Sequence, residues 1–251
     1  MAMSSTSEYQ NGVHDAARGH VRRWLTSPGL RQFLEEAPDL GRRLKRTGPY
    51  LAISREPGCG GGRIAREIAE RLGWDMLDKE LLDFIAERYG VARAMLEFVD
   101  ETSANWLRDS LGSLMDPQFV SHEKFVACLR RVILLAAVHG RIVFVGRGAH
   151  RILPRASGMA VRLIAPLEFR IARTMEQRGL SRRQARRRIA EIESHRIQFY
   201  RRYFHQKWGE THGFDLTINV ARFASSDVGE MIVHALRCLC GDSVAAAKVD
   251  A

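Results

Sequence analysis

A short apolar segment followed at once by a cluster of glycines places the strongest constraint on how this chain folds. Residues 50–54 read YLAIS, and the next residues, REPGCGGGRIA, contain Gly58, Gly60, Gly61 and Gly62. Because glycine tolerates positive φ, such a loop can turn successive N–H groups inward at the start of a helix, where they bind anions. The loop therefore predicts a phosphate-binding site, with a flexible strand-to-helix turn as the alternative interpretation.

Short apolar runs and helical patterns alternate through the rest of the chain. The apolar runs predict strands at residues 50–54, 74–77, 142–145, 161–164 and 216–220. The helical periodicity predicts helices at residues 64–72, 79–89, 125–138, 167–178, 181–204 and 228–240. Strands that alternate with helices of this length are typical of right-handed βαβ units, so we predict an α/β fold with a parallel sheet.

Changes in pattern divide the chain into three parts. Residues 1–48 have a polar start that we expect to be disordered, followed by apolar residues at helical spacing. We predict that this N-terminal helical extension packs on the main domain or on a second copy of the chain, as a homo-oligomer. Residues 49–241 are predicted to form the main domain, and residues 242–251 a flexible tail.

The sequence shows no membrane-spanning segment. The most apolar window, residues 132–146, is interrupted by His139, Gly140 and Arg141 before it reaches the roughly 20 residues that a spanning helix needs. The N-terminus lacks the apolar core of a secretory signal, and the four cysteines lack the spacing of a disulfide framework. We therefore expect a cytoplasmic protein without a membrane partner.

The positive charge of the chain is concentrated in one stretch. The formal net charge is +10, and residues 161–207 contain twelve Arg and one Lys against four Glu. Such a stretch predicts a polyanionic partner, which can be nucleic acid, a membrane surface or the phosphates of a small ligand. The arginines between Arg182 and Arg188 can equally form a solvated helix face. No aromatic-interleaved binding motif accompanies the stretch, so nucleic acid is the less favoured partner.

The glycine loop departs from the usual phosphate-binding pattern in one respect. The pattern G-x-x-x-x-G-K-S/T is not met, because no lysine follows the glycines. Phosphoryl transfer needs positive charge over the β and γ phosphates, but that charge can come from another side chain. Arg55, Arg63 and Lys79 are the candidates, and the arginines of the later helices can add to them.

Four separated segments together carry a family resemblance. They are AISREPGCGGGRIAREIAERLGWDMLDKELL, IVFVGRGAHRIL, RLIAPLEFRIARTMEQRGLS and HRIQFYRRYFHQKWGETHGFDLTIN. In this order they resemble the cytidylate kinase-like family, a branch of the P-loop nucleoside monophosphate kinases. The resemblance covers about residues 50–240. It implies a P-loop NTPase fold, which is a three-layer sandwich around a parallel sheet, with a helical lid at about residues 179–212.

The resemblance also implies an activity. Members of the wider kinase group use ATP and Mg²⁺ to phosphorylate a nucleoside monophosphate, so we expect a phosphotransferase that acts on such a nucleotide or on a similar small phosphorylated acceptor. A catalytically degenerate nucleotide-binding regulatory protein is the first alternative, and a nucleic-acid-binding module is the second. Residues 79–84 differ from the segment that holds the monophosphate in ordinary cytidylate kinases, so cytosine specificity is not implied.

The segment LGWDMLD sets the register of the glycine loop against ordinary cytidylate kinases. It places Gly61 where they carry the lysine, and Arg63 where they carry the threonine that binds Mg²⁺. We predict that the glycines cradle phosphate and that arginine replaces lysine. The predicted nucleotide-binding residues are Arg55, Gly58, Cys59, Gly60, Gly61, Gly62, Arg63 and Ile64.

The resemblance assigns roles to several residues outside the loop. Asp78 would bind Mg²⁺ near the acceptor, although an Asp before a helix also serves as an N-cap. Arg147 in VGRGA would contact the acceptor phosphate, unless it is a surface arginine in a tight turn. HRIQFYRRYF resembles the lid signature R-x-x-Y-Y-R-x-Y, whose arginines clamp phosphates. The predicted catalytic residues are Arg63, Asp78, Arg147, Arg196, Arg201 and Arg202.

The aromatic residues near the lid signature leave two interpretations open. Tyr200, Tyr203 and Trp208 could stack on a nucleotide base, and they could equally pack in the core.

Overall fold

A computed structural model describes residues 47–79, 129–130, 133–134, 136–205 and 208–244. The predicted helical extension lies almost entirely outside these residues, and so does its proposed role in self-association. Of the helix predicted at residues 79–89, only Lys79 is described.

Five parallel strands form one sheet in the order β2-β3-β1-β4-β5. The strands are β1 (Tyr50–Arg55), β2 (Asp75–Leu77), β3 (Ile142–Val145), β4 (Gly158–Ile164) and β5 (Leu216–Asn219). Tyr50 at the start of the central strand lies opposite Ile142 of β3 and Gly158 of β4. The predicted α/β fold with a parallel sheet is therefore confirmed. Strand β4 begins three residues earlier than predicted, where Gly158 leaves room for the ring and carbonyl of Tyr50.

Helices cover both faces of the sheet. They are α1 (Gly61–Leu72), α2 (Ala149–Ile152), α3 (Leu167–Arg178), α4 (Arg182–Phe204) and α5 (Ser225–Cys240). Successive residues of β1 point to opposite faces, so Leu51 and Ile53 pack with α1 and α5. Tyr50 and Ala52 pack on the other face, against α2 and helical residues that include Ile133. The three-layer sandwich is thereby confirmed.

Helix α4 falls within the predicted lid segment and begins at a capping box. The Ser181 side chain accepts a hydrogen bond from the Gln184 backbone N–H, and the Gln184 side chain accepts one from the Ser181 N–H at 2.9 Å. Ile171 of α3 packs with Ala185 and Ile189 of α4 in a small apolar cluster. The start of α4 is thus fixed on α3, beside the carboxyl ends of the strands.

The ordered part of the main domain continues beyond the boundary predicted at residue 241. A 3₁₀ turn over Gly241–Val244 follows α5, and Val244 is 1% exposed within the apolar cluster of α1 and α5. The predicted tail therefore starts with a segment that packs back on the domain. Among the residues that the structure describes, no helix has the length and apolar character to cross a membrane.

Candidate functional site

The glycine loop joins β1 to α1 at the carboxyl edge of the sheet. Gly58 and Gly60 have φ angles of +84° and +85°, whereas Gly61 and Gly62 already belong to α1. Only the first two glycines therefore use the positive φ that the sequence suggested for all four. Gly60 is the N-cap of α1, no side chain caps that end, and no acidic residue lies in the first turn. The Arg63 N–H is bonded to the Gly60 carbonyl oxygen at 3.1 Å, so the N–H groups before it are the ones placed for an anion.

The glycine loop is held to the helices that follow β4. A Cβ at Gly58 would lie 2.8 Å from the carbonyl oxygen of Arg170 and from Oγ1 of Thr174, so only glycine fits there. Arg170 is 7% exposed and lies 3.4 Å from the Glu56 carboxylate and 2.6 Å from that of Glu193. One buried guanidinium thus joins the loop, α3 and α4.

The side chain of Arg55 runs from the start of α1 to the end of β3. A Cβ at Gly61 would lie 2.7 Å from the Cβ of Arg55, and a Cβ at Gly146 would clash with the Arg55 guanidinium. Gly61 is the position at which the sequence register places the kinase lysine. A cationic side chain from the neighbouring strand therefore passes the place where that lysine is expected.

A cavity of about 290 Å³ lies between the carboxyl ends of β1 and β3 and the underside of α4. This volume is at the lower end of the range for small-molecule sites, which is roughly 300–1,000 Å³. No carboxylate occurs among the described residues that line it. Its cationic lining residues are Arg55, Lys79, Arg147, Arg178, Arg188 and Arg196. The cavity is therefore suited to an anionic ligand.

Arg196 connects α4 to the end of the central strand. Its Nη1 donates a hydrogen bond to the backbone carbonyl oxygen of Arg55. Burial, and secondly the charge of Arg55, lower the pKa of Arg196 to about 10. Both causes disfavour its charged form, so an anion in the cavity would relieve the repulsion between these arginines.

Arg147 lines the cavity at the carboxyl end of β3. It has a φ angle of +50° in a turn after β3, and its guanidinium carbon is 5.1 Å from the ring centroid of Phe199. Positive φ is uncommon outside glycine, which indicates that the turn is held in this form by its surroundings. The aromatic face of Phe199 stabilises this cation at the cavity.

The aromatic residues near the lid signature divide between the core and the cavity. Tyr200 is 7% exposed, and its ring centroid lies 6.0 Å from that of His150 and 5.2 Å from that of Phe204. Burial raises the pKa of Tyr200 to about 12. Trp208 lines the cavity, and its ring lies over the guanidinium carbons of two arginines. Tyr200 thus packs largely in the core, whereas Trp208 lies at the cavity.

Some predicted site residues lie away from this cavity. The Arg63 side chain is 58% exposed, and its Nε lies 3.5 Å from a carboxylate oxygen of Glu67. It is exposed because it projects from the side of α1 opposite the buried side, which contains Ile64. Arg201 and Arg202 are exposed near the end of α4 and are not among the lining residues. The structure therefore does not bring these three arginines together with Arg55, Arg147 and Arg196.

The buried members of the predicted loop contribute through their backbone. The Ile64 side chain is 3% exposed in the core, and Cys59 is 1% exposed. Burial raises the pKa of the Cys59 thiol, which favours its neutral form. These two side chains therefore support the loop from behind.

Sequence reasoning named Arg196 and Tyr200 but did not recognise the cavity face of α4 as a whole. The lining residues of this helix recur at intervals of three and four, as one helix face requires: Arg188, Ile192, His195, Arg196, Phe199 and Tyr200. This spacing was the available signal, and Arg201 and Arg202 fall off that face.

Arg173 of α3 is a second residue that the sequence reasoning missed. A Cβ at Gly60 would lie 2.5 Å from its guanidinium carbon, and its buried Nε has no hydrogen-bond partner. Buried donors usually have partners, so this guanidinium is poised for an anion on the glycine loop.

The predicted magnesium ligand, Asp78, is not among the described residues that line the cavity. Asp78 directly follows β2, and the next residue, Lys79, lines the cavity. Mg²⁺ in kinase sites takes one or two carboxylates and completes its shell with waters and substrate phosphates. Among the described residues, no group of three His, Cys, Asp or Glu could hold a metal ion by itself. A magnesium ion at Asp78 would therefore depend on the nucleotide.

Comparison with known proteins identifies the family. The sequence profile of the cytidylate kinase-like family matches residues 50–222. The chain belongs to this family. The predicted resemblance is therefore confirmed, and it covers the glycine loop, the cavity and α4. Among curated proteins, no sequence matches the chain.

Several solved structures are similar to this cytidylate kinase-like protein. An uncharacterized protein from Eubacterium ventriosum is similar with a TM-score of 0.58 and 23% identity, over 75% of this chain and 98% of that chain. Shikimate kinase from Bacteroides thetaiotaomicron has a TM-score of 0.42 and 13% identity, over 74% and 97%. Dephospho-CoA kinase from Campylobacter jejuni has a TM-score of 0.34 and 15% identity, over 74% and 94%. The first of these supports the fold.

Proposed function

We propose that this protein is an ATP- and Mg²⁺-dependent kinase that transfers the γ-phosphoryl group to a nucleoside monophosphate or a similar small phosphorylated acceptor. The observation that carries the proposal is the meeting of three arginines beside the glycine loop. Arg55 comes from β1, Arg147 from the turn after β3 and Arg196 from α4, and all three line one cavity. Family membership supports a phosphotransferase, and the cavity charge supports an acceptor that is itself anionic.

The proposed roles follow from where the charges lie. The N–H groups at the start of α1 would bind a phosphate of ATP, with Arg173 over Gly60 as a second donor. Arg55 would supply the positive charge that lysine supplies in related kinases. Arg147, on the β3 side of the cavity, would bind the acceptor phosphate. Bidentate arginine contacts both hold phosphate and orient it.

The phosphoryl transfer needs few further groups from the protein. A phosphate acceptor is already ionised, so its oxygen attacks the γ-phosphorus without a general base, and ADP leaves as the bond from the γ-phosphorus to the bridging oxygen breaks. Arg196 would stabilise the charge that develops on the transferred group, and α4 would exclude water from it. A magnesium ion at Asp78 would supply further positive charge to the phosphates. The sequence-based roles of Arg63, Arg201 and Arg202 stay predictions.

The test is a turnover assay with a panel of acceptors. Purified protein is incubated with ATP, Mg²⁺ and each nucleoside monophosphate in turn, and formation of the diphosphate is measured by chromatography. We expect turnover of at least one acceptor, with a loss in Arg147→Met and little change in Arg187→Met, whose side chain is 82% exposed. ATP binding without turnover of any acceptor would contradict the proposal.

A degenerate nucleotide-binding protein is the second candidate function. It is favoured by Gly61 at the lysine position and by Arg55 in the adjacent space. In that case ATP would bind, and no acceptor would be phosphorylated. A nucleic-acid-binding module is a weaker alternative, because six of the cations line one cavity of about 290 Å³, a size that suits a small ligand. Steeply salt-dependent binding to DNA or RNA would support it.

A further inference from the structure

Arg162 is a buried arginine that the proposed reaction does not use. It lies on β4 and is 5% exposed. Among the described residues, it donates no hydrogen bond and forms no ion pair. Its guanidinium carbon instead lies 5.1 Å from the ring centroid of Trp208 and 5.6 Å from that of Phe214. Charged side chains are almost never this buried without a counter-charge, so we expect Arg162 to have an anionic partner.

Glu56 is the described carboxylate that could neutralise Arg162, but it already has other partners. Glu56 acts electrostatically on Arg162, but its Oε2 accepts a hydrogen bond from the Ala165 N–H at 2.9 Å and lies 3.4 Å from Nε of Arg170. Burial also lowers the pKa of Arg162, which shows that the surroundings do not offset its desolvation. Two aromatic faces stabilise the cation only in part.

Arg162 lies directly beside the cavity. It is opposite Ser54 in the pairing of β4 with β1, and Ser54 lines the cavity. Paired residues on neighbouring strands are about 4.8 Å apart and point to the same face of the sheet. Trp208 also lines the cavity, and its ring centroid is 6.0 Å from the Arg196 guanidinium carbon. The indole ring is therefore shared between an arginine that lines the cavity and one that does not.

We propose that Arg162 binds a second anionic group of the acceptor, in the place that the Trp208 ring takes when no ligand is bound. This inference rests on the proposed function, since it concerns the same acceptor. It identifies the acceptor as a small molecule with a phosphate and a further anionic group, such as a nucleoside bisphosphate. Charge complementarity supports it, because Arg162 adds a cation to a cavity already lined by six.

A purely structural role for Arg162 predicts a different effect on ligand binding. If its contact with Trp208 only fixed the loop after α4, loss of the guanidinium would change the cavity for every ligand. Gly209, whose Cβ would lie 3.1 Å from Nη2 of Arg162, brings the loop close enough for such a contact. The two roles are separated by ligands that differ only in the second anionic group.

The experiment compares cytidine 5′-monophosphate with cytidine 3′,5′-bisphosphate in calorimetric titrations of the full chain without ATP. We expect the wild type and Arg187→Met to bind the bisphosphate at least about tenfold more tightly, because an arginine–phosphate contact is strong. Arg162→Met should bind both probes within about twofold of the wild-type affinity for the monophosphate. Its unfolding midpoint should not fall, since an apolar residue of similar length commonly replaces a buried charge without loss.

Two results overturn the inference while leaving the proposed function intact. One is equal affinity of the wild type for both probes, and the other is an equal loss of both affinities in Arg162→Met. A wild type that binds neither probe would instead count against the proposed acceptor site as a whole.

A second variant tests the displaced ring. Trp208→Ala should bind the bisphosphate as tightly as the wild type or more tightly, because the competing aromatic contact is gone. An equal fall in both affinities would show that the indole itself contacts the ligand, and would also overturn the inference.

Discussion

Arg196 of α4 donates a hydrogen bond to the backbone carbonyl oxygen of Arg55, the last residue of β1. This bond ties the lid helix to the strand that leads into the glycine loop. It also holds two guanidinium groups beside one another at the cavity. The position of α4 and the charge of the site are therefore set by the same contact.

We expect Arg196→Met to lower kcat by about a hundredfold, since it removes charge stabilisation from the transition state. KM should change less. Arg187→Met, on the solvent side of the same helix, should stay within about twofold of the wild type. Steady-state kinetics with the best acceptor measures both. Equal effects in the two variants would mean that Arg196 has no special role, and a larger effect of Arg201→Met would restore the sequence-based assignment.

The ion pair between Arg170 and Glu193 should contribute measurably to stability. Glu193→Gln leaves the buried Arg170 guanidinium with one carboxylate, that of Glu56. Breaking a buried pair costs about 3–5 kcal/mol, and because Glu193 is 28% exposed we expect the lower end of that range. Glu191→Gln, which disrupts the exposed pair with Arg187, should cost about 0–1 kcal/mol. Urea unfolding of both variants distinguishes the pairs, and matching losses would refute the difference.

Gly61 and Gly62 should respond in opposite ways to alanine. A Cβ at Gly61 would lie 2.7 Å from the Arg55 Cβ and 3.2 Å from Leu163 Cδ1, whereas a Cβ at Gly62 has open space. We expect Gly61→Ala to destabilise the fold by about 1–3 kcal/mol and Gly62→Ala to stabilise it by up to about 1 kcal/mol. Thermal unfolding monitored by circular dichroism provides the comparison. A Gly61→Ala protein as stable as the wild type would show that Arg55 can move aside.

Restoring the kinase lysine should not improve the enzyme. Gly61→Lys brings a long side chain against Arg55, so kcat/KM should fall by about tenfold or more. In the background of Arg55→Gly, which removes the Cβ and Cγ that a side chain at Gly61 would meet, the same lysine has more room and should recover part of the activity that Arg55→Gly loses. The four kinetic measurements form a double-mutant cycle. Higher activity of Gly61→Lys alone would identify the loop as a decayed P-loop that lacks only its lysine.

His150 should make the fold sensitive to mild acid. Burial lowers its pKa to about 3, against about 6.5 in an unfolded chain. Between these values only the unfolded chain takes up the proton, so the stability present above pH 6.5 is lost as the pH falls. The expected loss is roughly 2 kcal/mol between pH 6.5 and pH 5. Urea unfolding at both pH values should show a smaller loss for His150→Phe than for the exposed control His212→Phe; equal losses would exclude His150 as the cause.

Sequence patterns predicted the sheet more completely than the site. Buried strands such as 142–145 follow from their apolar runs, because a parallel strand covered on both faces needs no polar residue. Motif register found Arg55, Arg147 and Arg196, which line the cavity. It could not reveal that Arg63 faces solvent, since an aligned position carries no information about which side of a helix it occupies.

The residues that sequence reasoning missed depend on tertiary contacts. Arg173 meets Gly60 only because α3 folds back over the glycine loop, and no local pattern reports that. For Trp208, the sequence left two interpretations open, base stacking and core packing. Its position at the cavity depends on how the chain after α4 returns to the sheet. Arg162 interrupts an apolar strand and could have been noticed as a polar residue at a buried position.

The central position of β1 has a consequence for how the chain is made. Tyr50 pairs with Ile142 and Gly158, so both neighbours of this strand are synthesised long after it. Pairings this distant in sequence fold slowly, and an apolar strand that waits for partners is prone to aggregate. Because Arg170 also fastens the glycine loop, that loop is held in place only once α3 has emerged from the ribosome. The yield of active protein should therefore depend on chaperones that shield YLAIS during that interval.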